Sequence, residues 1–171
     1  AFLGSSSAWG QTNPAVQDLP FSTDFNSMQN TTVLPNGIAA WVNAYMNSKE
    51  AAEASVPTAD ATISAVNTTQ TSSGSIYNFN KDANNRLYIQ QTGNTTTGSG
   101  QIAAAVNTSG KSNISVSYDI ELINNQSRSV GAILQYRIGE SGAWTTISGS
   151  EYSSISRASV GDLESFSVTL P

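Results

Sequence analysis

Composition and charge narrow the classes of function before any motif is considered. The chain has 171 residues, of which 11% are charged, and its seven Lys and Arg against twelve Asp and Glu give a formal net charge of −5. This balance argues against a basic surface for nucleic acid or anionic lipid. His and Cys are absent, which excludes disulfides, thiolate metal sites and imidazole bases. One domain around one core is expected at this length.

The chain opens with an uncharged arm. The stretch AFLGSSSAWGQ carries large apolar side chains among small polar residues, and the first charge is Asp18. It lacks the basic region and long apolar run of a secretory signal, so we interpret it as part of a mature, exported protein found outside the cell or at its surface. We expect an extended arm over residues 1–19 and a single domain over residues 20–171. The arm residues expected to contact another subunit are Phe2, Leu3, Trp9, Val16 and Leu19.

Several short segments after the arm are candidate β-strands. The predicted strands cover residues 21–25, 61–66, 75–79, 86–91, 101–107 and 165–170. Residues 39–55 are ambiguous, because their Ala, Lys and Glu favour helix whereas Trp41 and Val42 suit a strand. We expect one short helix there at most, and no run is apolar enough for membrane insertion.

The clearest alternation lies in NISVSYDIELI, over residues 113–123. Residues 114–122 and 130–138 are predicted to be antiparallel neighbours, and residues 143–148 to complete a meander after the GESG turn. The number and spacing of these segments predict an all-β protein, an antiparallel jelly-roll-like β-sandwich.

Several motifs together resemble those of a known family. They are PFSTDFNS, LPNG, SGSIYNFN, NRLYI, AAVNTSGKSNISVSYDIEL and ILQYRIGESGAWTTI, over about residues 20–150. They resemble a β-sandwich accessory domain of secreted bacterial proteins, both nuclease-associated and surface-sorted. The resemblance implies a noncatalytic module. This chain departs from the family where Leu122, Ile123 and Asn124 replace a Trp-Arg pair, and it is shorter at its C-terminus. We therefore expect an incomplete sheet that an arm could complete.

Three other groups of residues are candidates for function. An aromatic platform for stacking on sugar rings is one possibility, and its members would be Trp41, Tyr88, Trp144 and Tyr152. Asp119 and Glu121 share a strand face and could form an acid–base pair or bind calcium, but a solvated face with Glu121 opposite Arg137 is the favoured interpretation. The N-x-[ST] triplets that could accept glycans begin at Asn30, Asn67, Asn94, Asn107, Asn113 and Asn125.

No catalytic motif is present, so we expect neither an enzyme nor a cofactor, and calcium has no motif to support it. The hypothesis is a noncatalytic extracellular structural protein, in which the arm of one copy completes the sheet of the next, head to tail, in a fibre or filament. The arm could instead pack on its own domain or be disordered. The main alternative is a carbohydrate-binding or adhesive module. An enzyme whose catalytic groups are carboxylate side chains is a third possible class of function.

Overall fold

Short strands dominate the part of the chain that the computed structural model describes. That part comprises residues 14–28, 33–43, 63–66, 73–80, 84–92, 98–125, 130–140, 143–154 and 159–171. The strands are β1 (Gln17–Asp18), β2 (Ile38–Asn43), β3 (Ser64–Val66), β4 (Ser75–Phe79), β5 (Arg86–Gln90), β6 (Ser99–Ala104), β7 (Val106–Asn107), β8 (Ser115–Glu121), β9 (Gly131–Ala132), β10 (Gln135–Tyr136), β11 (Thr145–Thr146), β12 (Tyr152–Ser153) and β13 (Leu163–Thr169). A 3-10 helix occupies Asn26–Met28.

Most strand pairs are antiparallel. They join β2 to β6, β4 to β5, β8 to β13, β9 to β12 and β10 to β11. Two ladders are parallel, β1 with β7 and β3 with β4, which the sequence did not predict. The fold is nearly all-β and sandwich-like, as its alternating segments predict. Within the described residues, no helix is long and apolar enough to cross a membrane.

The core lies where the β2–β6 pair meets the sheet of β3, β4 and β5. Its buried members are Met28, Ala40, Ile63 and Ile76. A glycine on β6 permits this close approach, because a Cβ at Gly100 would lie 2.8 Å from Ile89 Cγ2 and 2.9 Å from Ile76 Cγ1. The absence of a side chain at Gly100 therefore sets the distance between the two sheets.

Residues 21–25 do not form the predicted strand. The Asp24 carboxylate instead accepts a hydrogen bond from the Asn26 backbone N–H, at 3.0 Å, and Phe25 has a φ of 62°, which interrupts an extended backbone. Two hydrogen bonds from Asn26 hold the pKa of Asp24 below its ordinary value of 3.8, and the bond from the backbone N–H has a larger effect than the bond from the side chain. A turn held by Asp24 therefore takes the place of the predicted strand.

The predicted pairing of residues 114–122 with residues 130–138 is wrong. β8 pairs instead with β13, and residues 130–138 are divided into the short strands β9 and β10. Buried serines explain the division, since the Val130 N–H donates to Ser154 Oγ at 2.8 Å and the Leu134 N–H to Ser150 Oγ at 3.0 Å. The hairpin of β10 and β11 is confirmed, with Tyr136 opposite Thr145.

Most of the other predicted strands are confirmed, with shifted ends. β4 has its predicted bounds, and β5, β8 and β13 differ from theirs by one or two residues. The predicted strand 101–107 is divided at Ala105 into β6 and β7. In the ambiguous stretch, residues up to Asn43 belong to β2. The expected short helix falls on residues beyond that strand, outside the described part of the chain.

The end of the predicted arm pairs with its own domain. The Gln17 N–H donates to the Ala105 carbonyl at 2.9 Å, and Asn107 Nδ2 donates to Asp18 Oδ1 at 3.2 Å. Gly37, at a φ of 85°, makes room for this contact, because a Cβ there would lie 2.3 Å from Gln17 Cγ. Val16 and Leu19 flank β1, whereas Phe2, Leu3 and Trp9 lie outside the described residues.

Candidate functional site

The longest described strands, β8 and β13, form a two-stranded ribbon that pairs with no other strand in the described part of the chain. Seven residue pairs connect them, from Ser115 opposite Thr169 to Glu121 opposite Leu163. Alternation gives the ribbon one apolar face, on which the Tyr118 and Phe166 rings stack with centroids 4.9 Å apart. This cross-strand aromatic pair stabilises the pairing of β8 with β13 over pairing with a segment nearer in sequence.

The opposite face of the ribbon is exposed and carries mainly hydroxyl groups. Ser117 and Ser167 face each other across the two strands, with their Oγ atoms 3.1 Å apart. Asp119 contributes a charge on this face beside Ser165. The ribbon therefore has the alternation of a sheet with one packed and one solvated face.

Both outer edges of the ribbon carry backbone groups that no described strand pairs with. The Leu170 N–H donates to the Ile114 carbonyl at 2.8 Å, and the Leu122 N–H to the Asp162 carbonyl at 3.0 Å. Because hydrogen-bonded and non-hydrogen-bonded pairs alternate in an antiparallel ladder, every second residue directs its N–H and C=O groups outward. These are residues 115, 117, 119 and 121 of β8 and residues 163, 165, 167 and 169 of β13. Each edge thus presents a row of donors and acceptors suited to another strand.

Polar contacts between described residues attach the ribbon to the remaining domain. Arg86 Nε of β5 lies 2.6 Å from Glu121 Oε2, with both side chains about three-quarters buried. The Tyr118 hydroxyl donates to the Ser150 carbonyl at 3.2 Å. Burial raises the pKa of Tyr118 above its ordinary value of 10.0, so the phenol stays protonated as a donor at neutral pH.

The predicted pairing of Glu121 with Arg137 is wrong. Glu121 binds Arg86, and Arg137 lies over the Trp144 ring, with its Cζ 4.6 Å from the ring centroid. The physical reason is the different strand pairing, since β8 is not a neighbour of the segment that carries Arg137.

Two open grooves flank the same end of the ribbon. The β8 groove, of about 380 Å³, lies between residues 19–21 and residues 111–115. The β13 groove, of about 300 Å³, lies between Thr169 and Pro171 on one side and Tyr136 with residues 145–148 on the other. Both grooves mix apolar and polar side chains and continue from an open edge of the ribbon.

The four aromatic residues predicted to stack on sugars do not share an exposed face. Trp41, Tyr152 and Tyr88 are only 2%, 4% and 9% exposed. Ring stacking needs an accessible aromatic face, which these three lack in this structure. Trp144 is partly exposed, with Arg137 over its ring. The carbohydrate interpretation of the first three residues is therefore wrong, because they pack in the interior.

The acidic residues do not form a cluster in the described part of the chain. Asp119 is exposed, and Glu121 already binds Arg86. Within the described residues, no group of three or more Asp or Glu side chains could hold a metal ion. The geometry therefore gives no support to acid–base chemistry or calcium binding at Asp119 and Glu121.

The asparagines of three of the six glycosylation triplets are described residues. Asn107, Asn113 and Asn125 are exposed, and Asn113 adopts a φ of 54° in the turn before β8. Asn30, Asn67 and Asn94 lie outside the described residues. Exposure makes glycan attachment sterically feasible at the first three.

Comparisons with protein-family models, curated proteins and solved structures found no match to this chain. The resemblance to an accessory domain of secreted proteins therefore stays a prediction from sequence motifs. Sequence reasoning missed both the partner of β8 and the buried role of Ser150. The chain is rich in serine, and its sequence contains no signal that distinguishes the buried Ser150 from the solvated serines.

Proposed function

We propose that this protein is a noncatalytic, extracellular structural subunit, in which the arm of one copy adds a strand to the sheet of the next. The single observation that carries the proposal is the β8–β13 ribbon, whose two seven-residue edges face no described strand. Proteins normally cover or shorten such edges because they template pairing with other chains. A long open edge is a binding surface for an extended segment.

The arm has the composition that this role needs. Residues 1–13 carry no charge and include Phe2, Leu3 and Trp9. Fully extended, they would span about 43 Å, whereas seven residues of a strand span about 23 Å. Their length is therefore sufficient to pair along one ribbon edge and leave six residues as a connection.

The pairing of β1 with β7 defines where the proposed donor segment ends. Gln17 and Asp18 hydrogen-bond within their own domain, so removal of residues 1–19 would damage that domain as well as the donor. The donor is therefore assigned to residues 1–13. A variant that changes only these residues separates assembly from folding.

Size-exclusion chromatography and negative-stain electron microscopy test the proposal on the full-length chain. We expect filaments from the parent chain and monomers from the triple variant Phe2→Ser, Leu3→Ser and Trp9→Ser, because its arm has lost its apolar side chains. Val16→Ser is the matched control, since Val16 is 67% exposed in its own domain, and it should assemble.

Monodisperse monomers from the parent chain, or filaments from the triple variant, would contradict the proposal. Monomers would favour the alternative of a carbohydrate-binding or adhesive module. A glycan array with the parent chain and Trp144→Ala would then be informative, because Trp144 is the partly exposed member of the aromatic set.

A further inference from the structure

We propose that the acceptor for the arm is the outer edge of β13, and not that of β8, with an apolar arm side chain seated in the β13 groove. This inference rests on the proposed function and specifies its binding site. The occupant is the arm, residues 1–13, of a second copy of the chain. Two features of the ribbon distinguish its two edges, and a third, a groove of the kind found beside both edges, offers a place for a side chain of the arm.

Charge is the first difference between the edges. The residues of β13 that direct their N–H and C=O groups outward are uncharged, namely Leu163, Ser165, Ser167 and Thr169, and the one charged residue of this strand, Glu164, directs its backbone groups toward β8. The corresponding residues of β8 include Asp119 and Glu121. A charged side chain on an edge strand opposes the addition of another strand, because the charge must lose part of its hydration. An uncharged arm therefore pairs more favourably with β13.

Existing contacts are the second difference. Glu121, at the end of β8, is bound by Arg86 from β5, and the two side chains are about three-quarters buried. A strand that followed the β8 edge would meet this ion pair. At the corresponding end of β13, Leu163 is 59% exposed and offers an apolar contact instead.

The β13 groove is the third feature. It continues from the end of β13 at Thr169 and is bounded on its far side by Tyr136 and Ile147. A strand paired with β13 directs alternate side chains toward the inner face of the ribbon. One of the three large apolar residues of the arm can enter this groove, so the backbone pairing and the side-chain contact occur together.

Proline substitutions at directly opposed residues compare the two edges. Ser167 on β13 and Ser117 on β8 are cross-strand partners, and both direct their N–H outward. Proline at either position removes a backbone donor from one outer edge and leaves the backbone hydrogen bonds inside the ribbon intact, and both variants lose the same hydroxyl contact between Ser117 and Ser167. We expect Ser167→Pro to raise the concentration needed for filament formation by about tenfold or more, and Ser117→Pro to leave it nearly unchanged. Circular dichroism verifies that both variants fold.

Cysteine cross-linking gives an independent test, because the parent chain has no Cys. Cysteine is placed singly at positions 5, 6 or 7 of the arm, where three consecutive serines sample both faces of a strand, together with Ser165→Cys or Ser117→Cys. Mild oxidation, which joins only cysteines whose Cα atoms lie within about 7 Å of each other, should produce a ladder of covalent oligomers from at least one variant with Ser165→Cys. The matched variants with Ser117→Cys should remain uncross-linked.

The outcomes separate this inference from the proposed function. Ladders from the Ser117→Cys variants, or loss of filaments only in Ser117→Pro, would overturn the β13 assignment while leaving strand exchange intact. Equal assembly of both proline variants without any ladder would also overturn it. Monomers from the parent chain, or cross-links only within single subunits, would overturn the proposed function as well.

Discussion

Ser150 illustrates how much a single buried hydroxyl contributes to this fold. It is fully buried, and its Oγ donates to the Ile147 carbonyl at 2.6 Å and accepts from the Leu134 N–H at 3.0 Å. Its own carbonyl accepts from the Tyr118 hydroxyl. The residue thereby connects the β10–β11 hairpin to the ribbon that carries the candidate site.

Ser150→Ala should destabilise the protein. The Leu134 N–H would lose its hydrogen-bond acceptor, and an unsatisfied buried donor reduces the free energy of unfolding by about 1–3 kcal/mol. Urea denaturation, followed by circular dichroism, measures the change. Ser148→Ala is the control, because Ser148 is exposed in the same turn. Equal stability of the two variants would contradict the role assigned to Ser150.

At the scale of elements, β6 depends on a residue without a side chain. Gly100 faces Ile76 and Ile89 at a distance that leaves no room for a Cβ. The β2–β6 pair therefore packs closely on the neighbouring sheet, in the way that a strand glycine permits.

Gly100→Ala should lower the free energy of unfolding by about 1–3 kcal/mol, because an added methyl overpacks the core. The double variant Gly100→Ala with Ile89→Ala supplies the matched comparison in a double-mutant cycle. We expect it to be less destabilised than the sum of the two single variants, since truncation of Ile89 makes room for the methyl. Strict additivity would show that the two side chains do not compete for the same space.

At the scale of the whole molecule, the proposed strand exchange would link assembly to stability. A subunit whose open edge is filled by another copy gains stability through mass action. The net charge of −5 gives the subunits a modest mutual repulsion, whereas the proposed donor segment, residues 1–13, is uncharged and β13 carries a single charge at Glu164.

The unfolding temperature should therefore rise with protein concentration for the parent chain. Differential scanning calorimetry over a hundredfold range of concentration measures the effect. The triple arm variant should unfold at the same temperature throughout that range, because it has no donor to exchange. A parent chain with no concentration dependence would contradict assembly through the folded subunit.

Much of the fold could be predicted from local pattern. β8 can be predicted because apolar and polar residues alternate along it, and that period requires no knowledge of the partner strand. Residues 21–25 lack that alternation, and the predicted strand there is wrong because hydrogen bonds to Asp24 form a turn.

The sequence by itself determined the all-β class, the absence of thiol and imidazole chemistry and the uncharged character of residues 1–13. The tertiary structure alone decided that β8 pairs with β13, that Trp41 and Tyr152 are buried, and that Glu121 meets Arg86. The physical reason is the separation along the chain between the residues that interact. Alternation is a property of adjacent residues, whereas strand pairing and burial depend on contacts such as that between Ser117 and Ser167, which lie 50 residues apart.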